Sequence, residues 1–133
     1  MDEVTDVVAA ILFKGNQVLI AQRAHSDPLA GLWEFPGGKI EAGESPEESL
    51  IREMQEEFCI DLEVGQLLAS SIYPYDKGTI RLLAYICKYT GGDIHATVHN
   101  DYLWRSVKDL DQFVFAPADR PIVKKLMREY HEF

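Results

Sequence analysis

A sharply delimited amphipathic helix is the feature of the sequence that most constrains its fold. Ser45 is followed by Pro46 and, three residues after the serine, by Glu48, which is the pattern of a capping box with a proline at the first helical position. This pattern predicts a helix from residue 46 to about residue 58. Its apolar side chains recur at helical spacing and form one stripe, made of Leu50, Ile51, Met54 and Phe58. The chain must therefore supply an apolar layer on which this stripe packs.

Short apolar runs rich in β-branched residues predict that layer. Residues 7–13 and 18–22 flank a Gly15-Asn16 pair, which is typical of a hairpin. Further strands are predicted at 32–35, 62–71, 79–90 and 102–107, a short helix at 107–112 and a last helix at about 119–130. Loops are predicted at 24–31 and from the Pro36-Gly37-Gly38 break to residue 44. Many strands with two clear helices indicate an α+β protein or a mixed-sheet sandwich.

Length, composition and charge bound the class of protein. The chain has 133 residues, 47% of them hydrophobic and 26% charged, which fits one domain spanning residues 1–133. The net charge of −9 disfavours a nucleic acid polymer or an anionic membrane surface as partner. The apolar run at 7–13 is too short for a membrane span or a signal peptide, so we expect a cytoplasmic protein. Cys59 and Cys87 lack metal-site spacing, and we expect both to be reduced.

Three carboxylates share one face of the predicted helix. Glu53, Glu56 and Glu57 are spaced i, i+3 and i+4, and a like-charge pair at i, i+4 costs about 0.2–0.5 kcal/mol. They also lie in the last turns, where the helix dipole disfavours an anion by about 0.3–1 kcal/mol. A divalent cation would offset both costs, because carboxylate oxygens are ligands that Mg²⁺ prefers. The alternative is a solvated acidic helix in which Arg52 pairs with Glu48.

The residues around this helix resemble the Nudix box. The box has a glycine, five residues, Glu, seven residues, Arg-Glu, an aliphatic residue, any residue, Glu-Glu, any residue, a glycine and an aliphatic residue. Its fixed positions here are Gly38, Glu44, Arg52, Glu53, Glu56 and Glu57. Cys59 stands in place of the last glycine, at a helix end that commonly needs left-handed backbone, so we expect a local stability cost without loss of activity. The resemblance implies the Nudix fold, an α/β/α sandwich around a mixed curved β-sheet.

Segments outside the box are similar to those of MutT-type nucleotide hydrolases. They are residues 32–39, which read Leu-Trp-Glu-Phe-Pro-Gly-Gly-Lys, residues 21–23, and residues 116–122, which resemble a segment that presents Asn or Asp to the nucleobase. The similarity is closest to the bacterial branch of CTP pyrophosphohydrolases and 8-oxo-dGTP diphosphatases. It implies hydrolysis of a (d)CTP-type or oxidised purine nucleotide such as 8-oxo-dGTP to nucleoside monophosphate and pyrophosphate. A role in nucleotide pool sanitation is left open.

The resemblance also implies roles for individual residues. The predicted ligands of Mg²⁺, for which Mn²⁺ is a possible substitute, are the Gly37 carbonyl, Glu53, Glu56 and Glu57. The predicted catalytic group consists of Glu53 with the supporting Glu44 and Arg52. The predicted substrate-binding residues are Arg23, Trp33, Gly38, Lys39 and Asp119.

The general base and the base-recognition residue each leave alternatives. Many family members carry a further Glu before a strand Trp, where this chain has Val98, so Glu53 is the expected base. His99 or Asp101 is a possible substitute, although a lone loop histidine is more often a solvated surface residue. Asp119 suits the amino group of cytosine or the N7-H of 8-oxoguanine, and when protonated it suits a base carbonyl. Its alternative role is to cap the last helix.

For three other residues predicted to contact the substrate, an ordinary structural role is the alternative. Trp33 either stacks on a base or belongs to the core, where we also place Phe35. For Lys39 and Arg23, the alternative to substrate binding is that each is an ordinary exposed residue.

Two rival functions remain, namely hydrolysis of nucleoside diphosphate derivatives such as ADP-ribose, for which Pro74 is a faint marker, and a non-catalytic nucleotide-binding module. The expected partner is a small nucleotide, and we expect a monomer or a weak homodimer.

Overall fold

The computed structural model describes residues 3–24, 29–96 and 99–130. Its strands are β1 Val4–Lys14, β2 Gln17–Arg23, β3 Trp33–Glu34, β4 Gly37–Lys39, β5 Asp61–Tyr75, β6 Gly78–Gly91 and β7 His99–Ser106. Its α-helices are α1 Pro46–Phe58 and α2 Arg120–Glu129, and two 3₁₀ helices cover Val107–Gln112 and Pro117–Asp119. No helix among these residues has the length and apolar character needed to cross a membrane.

Strand β1 organises a mixed sheet. It runs parallel to β6 from the pair Val4↔Thr79 to the pair Phe13↔Lys88, and it forms an antiparallel hairpin with β2. The order β3-β2-β1-β6-β5 is extended by β4, which pairs with β1, and by β7, which pairs with β2. The predicted mixed sheet is therefore confirmed.

Each face of the sheet carries its own apolar core. Side chains alternate along a strand, so Val8, Ala10 and Leu12 of β1 face α1, whereas Ala9 and Ile11 face α2. The α1 residues that join the first core are Leu50, Met54 and Phe58, and the α2 residues that join the second are Ile122, Val123 and Leu126. Two helical layers thus enclose the sheet, as expected for an α/β/α sandwich.

The limits of α1 follow the sequence signals. The Ser45 hydroxyl accepts a hydrogen bond from the Glu48 N–H at 3.1 Å, and the Glu48 carboxylate accepts one from the Ser45 N–H at 3.0 Å. The helix ends at Phe58, and the next residue, Cys59, has left-handed backbone with a φ of 60° and a ψ of 35°, as expected for the position of the box glycine. The predicted apolar stripe is wrong at Ile51, which is 52% exposed because it lies about 100° around the helix from Leu50.

The main differences from the predicted elements arise where the chain makes close tertiary approaches. Residues 37–39 form β4 instead of a loop, because Gly37 lies so near β1 that a Cβ there would be 1.8 Å from the carbonyl oxygen of Val8. Strand β5 continues to Tyr75, beyond the predicted end at 71. The predicted loop 24–31 lies partly outside the described residues, and so does Val98, whose expected place at the distal Glu position is not described.

Candidate active site

A cavity of about 1050 Å³ is lined both by α1 and by the segment before α2, and its volume is ample for a nucleotide. Strands β2, β3, β4 and β7, the β5–β6 hairpin, the last turns of α1 and the segment before α2 all contribute to its wall. The titratable residues of the wall include Arg23, Glu34, Glu53, Glu57, His99 and Asp119. Lys39 lies on the same wall. Carboxylates and cations therefore surround one shared volume.

The carboxylate of Glu53 is seated against the backbone of Gly38. Glu53 is only 9% exposed, and a Cβ placed on Gly38 would lie 2.4 Å from the carboxyl carbon and 2.5–2.6 Å from the two oxygens. Contacts this short do not occur with real Cβ atoms, so any other residue at position 38 would displace the carboxylate. The first glycine of the box thus makes room for Glu53 at the cavity wall.

Arg52 braces the loop that precedes α1. Its guanidinium makes two hydrogen bonds to Glu44, at 2.6 and 2.9 Å, and a third to the carbonyl oxygen of Lys39 at 3.2 Å. It also donates to Glu53 at 3.0 Å. The guanidinium, followed by the N–H of Glu41, lowers the pKa of Glu44 to about 2. Arg52 and Glu44 accordingly stand behind the cavity wall, and the alternative pair of Arg52 with Glu48 is replaced by the capping box.

Glu57 lies close enough to Glu53 at the cavity wall to be affected by its negative charge. Burial, followed by the charge of Glu53, raises the pKa of Glu57 to about 7. Two neighbouring carboxylates of this kind suit a hard divalent cation, which would replace the repulsion by attraction. Within the described ranges, no three His, Cys, Asp or Glu side chains are already arranged about one metal position. The donors present therefore fit a cation that takes its other oxygens from backbone, solvent or substrate.

The structure brings together only part of the predicted metal set. Glu53, Glu57 and Gly37 line the cavity. The side chain of Glu56 is 60% exposed and is bonded to Arg52 at 3.1 Å, so it lies outside the cavity wall. In the present side-chain arrangement, two of the three helix carboxylates face the shared volume.

Asp119 lies in the part of the wall that leads into α2. It is 6% exposed, and its Oδ2 accepts a hydrogen bond from the N–H of Phe35 at 3.0 Å. Burial, followed by the charge of Glu34, raises its pKa well above the usual range. The Asp119 side chain makes no capping hydrogen bond to α2, so the capping alternative is wrong. A single buried carboxyl group is thus presented to the cavity.

Trp33, which was predicted to bind substrate, is not among the residues that line the cavity. Its ring packs edge-on against Phe113 at a centroid distance of 5.2 Å. Phe35 is 3% exposed and packs on Phe115, which confirms it as a core residue.

Sequence reasoning missed Glu34 and misjudged His99. The carboxylate of Glu34 receives Arg23 Nη1 at 2.5 Å on one oxygen and lies 2.7 Å from His99 Nε2 on the other. The His99 side chain is 5% exposed and its ring stacks on Phe58 at 5.2 Å, so the surface-loop interpretation of His99 is wrong. Its pairing with the end of β2 was hidden because the predicted strand started at residue 102. Only the strand register could have revealed it.

Comparison with known proteins identifies the family. The NUDIX domain family matches residues 4–126, so the chain belongs to the Nudix family of hydrolases. The CTP pyrophosphohydrolase of Escherichia coli (strain K12) is 38% identical over 122 residues, which cover 92% of this chain and 90% of that protein. The 8-oxo-dGTP diphosphatase of the same strain is 32% identical over 128 residues, covering 96% and 99%.

Solved structures share the fold over nearly the whole chain. The E. coli ORF135 protein superposes with a TM-score of 0.83 at 36% identity, covering 96% of this chain and 91% of that one. MutT from methicillin-resistant Staphylococcus aureus 252 superposes with a TM-score of 0.79 at 42% identity, covering 97% and 99%. An ADP-ribose pyrophosphatase from Streptococcus suis has a TM-score of 0.71 at 20% identity, which shows a common fold alone.

Proposed function

We propose that this protein hydrolyses a nucleoside triphosphate, of the (d)CTP type or an oxidised purine dNTP such as 8-oxo-dGTP, to nucleoside monophosphate and pyrophosphate with Mg²⁺. One observation carries the proposal: a single cavity holds the carboxylates Glu53 and Glu57 together with the buried carboxyl group of Asp119. The first pair suits a metal-bound phosphate chain, and the second group suits a nucleobase. The named activities of the CTP pyrophosphohydrolase and 8-oxo-dGTP diphosphatase relatives support this choice.

The phosphate end of the proposed site is built from α1 and β4. Glu53 and Glu57 would hold Mg²⁺, or Mn²⁺ in its place, and the Gly37 carbonyl and Glu56 are the further proposed ligands. When bound, the cation neutralises phosphate charge and lowers the pKa of the attacking water. Lys39 adds a positive charge on the same wall, where it would contact the phosphates.

Glu53 is the proposed general base. Its carboxylate accepts a hydrogen bond from Arg52 and is held in the space that Gly38 leaves open. A carboxylate fixed in this way can accept the proton that water releases as it attacks phosphorus. Glu44 and Arg52 would support the reaction by fixing the loop and helix rather than by touching the substrate.

Asp119 is the proposed reader of the base, with Arg23 contacting the nucleoside beside it. One Asp119 oxygen already accepts the N–H of Phe35, which leaves the other for a ligand. Its raised pKa favours the neutral carboxyl, which can donate to a base carbonyl such as O6 of 8-oxoguanine. The ionised form would instead accept the amino group of cytosine. Cytosine therefore requires the ionised form, whereas 8-oxoguanine can be bound by either form, through its N7-H or through O6.

Product analysis over a substrate panel tests the proposed function. The protein is incubated with Mg²⁺ and dCTP, CTP, 5-methyl-dCTP, 8-oxo-dGTP, the ordinary dNTPs or ADP-ribose, and products are identified by phosphorus NMR. We expect monophosphate and pyrophosphate from a cytidine or an oxidised purine nucleotide, and a loss of rate of about 10²–10⁴-fold in Glu53→Gln. Glu47→Gln, at the exposed start of α1, is the matched control and should retain the rate. No turnover, or turnover of ADP-ribose alone, would refute the proposal.

The proposal extends to the partner, the location and the oligomeric state of the protein. A small nucleotide is the proposed partner, in the cytoplasm, with nucleotide pool sanitation as the role that an oxidised substrate would imply. A monomer or a weak homodimer is the proposed state, which light scattering across a concentration series would test.

A further inference from the structure

Glu34 joins two cavity residues that come from different strands. One of its oxygens accepts Arg23 Nη1 at 2.5 Å, and the other lies 2.7 Å from His99 Nε2. Since an ionised carboxylate only accepts hydrogen bonds, the histidine nitrogen is the donor. Both oxygens of Glu34 are thus engaged, and the carboxylate cannot rotate without breaking a contact. We call this group the Arg23–Glu34–His99 clamp.

The clamp is fixed by the register of three strands. Glu34 pairs with Ala21 across β2 and β3, which makes Arg23 its diagonal neighbour on the same face of the sheet. A register shift after Gln22 places His99 of β7 opposite Arg23. Two cross-strand relationships therefore converge on a single carboxylate, and the position of the Arg23 guanidinium depends on both.

Helix α1 supplies the third anchor of the clamp. The His99 ring stacks on Phe58, the last residue of α1, and its side chain is only 5% exposed. Glu34 is 17% exposed at its side chain, whereas Arg23 is 29% exposed and is the member that reaches furthest into open space. The two less exposed members thus hold the most exposed one.

Arg23 lies at the nucleoside end of the cavity. Burial raises the pKa of both Asp119 and Tyr75, and the positive charge of Arg23 opposes that rise in each case. Tyr75 in turn accepts the N–H of Ala118, the residue before Asp119, at 2.8 Å. The guanidinium therefore stands near the group proposed to read the base.

We propose that Glu34 and His99 are positioning residues that hold the Arg23 guanidinium against the nucleoside part of the bound nucleotide. This inference rests on the proposed function and adds two residues to it. Loss of the His99 donor frees Glu34 and lets Arg23 move, which weakens nucleotide binding. The chemical step depends on Glu53 and is unaffected.

A pair of His99 variants separates positioning from packing. His99→Phe keeps a ring over Phe58 and removes the donor, whereas His99→Gln restores an N–H donor without the ring. For the preferred nucleotide we expect His99→Phe to raise KM about 10- to 100-fold, as expected for a lost hydrogen bond to a charged group, with kcat within about 2-fold. His99→Gln should recover most of the affinity. His95→Phe, at an exposed histidine outside the cavity wall, is the matched control and should leave KM unchanged.

Binding of the monophosphate product without metal gives an independent readout. Calorimetry should show the same loss of affinity for the monophosphate in His99→Phe and its recovery in His99→Gln. The clamp is refuted if His99→Phe binds and reacts like the wild type, if kcat falls while KM stays constant, or if both variants lose melting temperature without a change in affinity. If the wild-type protein neither binds nor hydrolyses any nucleotide, the proposed function itself fails and the clamp falls with it.

Discussion

At the scale of single residues, the backbone strain at Cys59, just after α1, lowers the stability of the folded protein locally. Cys59 has left-handed backbone, and its N–H donates to the carbonyl oxygen of Gln55 at 3.1 Å. A side chain with a Cβ is strained in this conformation, whereas glycine is not. Cys59 lies two residues beyond Glu57 and is not among the residues that line the cavity. Stability and activity should therefore respond separately at this position.

We predict that Cys59→Gly stabilises the protein by about 1 kcal/mol. The melting temperature should rise by about 3–5 °C, a shift of the size expected for such a free energy in a chain of this length. Cys59→Ala keeps the Cβ and serves as control, with little or no gain. Both variants should retain the wild-type rate. An equal melting temperature for the glycine and alanine variants would show that backbone strain is not what limits stability here.

At the scale of elements, the contact between β4 and α1 sets the geometry of the carboxylates. Strand β4 is held by β1, and Gly38 is the point where its backbone meets the Glu53 carboxylate. The hydroxyl of Ser49 also donates to the carbonyl oxygen of Lys39 at 3.3 Å, which ties the helix to the end of the strand. The reacting group is thus placed by two elements that must keep a fixed separation.

We predict that Gly38→Ala impairs catalysis far more than it destabilises the fold. The added methyl group would displace the Glu53 carboxylate, and a misplacement of about 1 Å can cost about 10²-fold in rate. Gly91→Ala is the control, since its nearest contact would be Asp61 Oδ2 at an ordinary 3.9 Å. Steady-state kinetics and thermal melts on both variants measure the effect. A wild-type kcat in Gly38→Ala would contradict the proposed role of this contact.

The same elements show what sequence can and cannot predict. Helix α1 was predictable because Ser45, Pro46 and Glu48 act on their own neighbours. Strand β4 was not, because its pairing depends on a close approach to β1 that only the folded chain creates. The orientations of Trp33 and His99 were likewise undetermined, since a shift of one residue in strand register turns a side chain to the other face.

At the scale of the whole molecule, the folded protein buries two acidic groups, Glu57 and Asp119, whose ionised forms are disfavoured when no metal is bound. The folded protein raises the pKa of Glu57 to about 7 and raises that of Asp119 in the same direction. A carboxyl group whose pKa is raised by folding binds its proton more tightly in the folded than in the unfolded chain. Stability is then lost as pH rises from the unfolded value near 4.5 through the folded value.

We predict that the melting temperature of the metal-free protein falls between about pH 5 and pH 8. Glu57→Gln removes the charge and should reduce the slope, whereas Glu47→Gln at the exposed helix start should leave it unchanged. Asp119→Asn should remove a further part of the pH dependence of the melting temperature. Thermal melts in the presence of a chelator across this range provide the measurement. A slope in Glu57→Gln equal to that of the wild type would show that burial and the charge of Glu53 do not raise the pKa of Glu57 as described.

Calorimetric titration of Mg²⁺ into the protein, with a non-hydrolysable nucleotide present, tests the central claim most directly. If Glu53 and Glu57 hold the cation, titration of the wild type should give a binding heat that saturates at a defined ratio of Mg²⁺ to protein. The double variant with Glu53→Gln and Glu57→Gln should give no such heat, although its thermal unfolding stays cooperative. Glu47→Gln should bind as the wild type does. Equal Mg²⁺ binding by the wild type and the double variant, or no binding by either, would contradict the account.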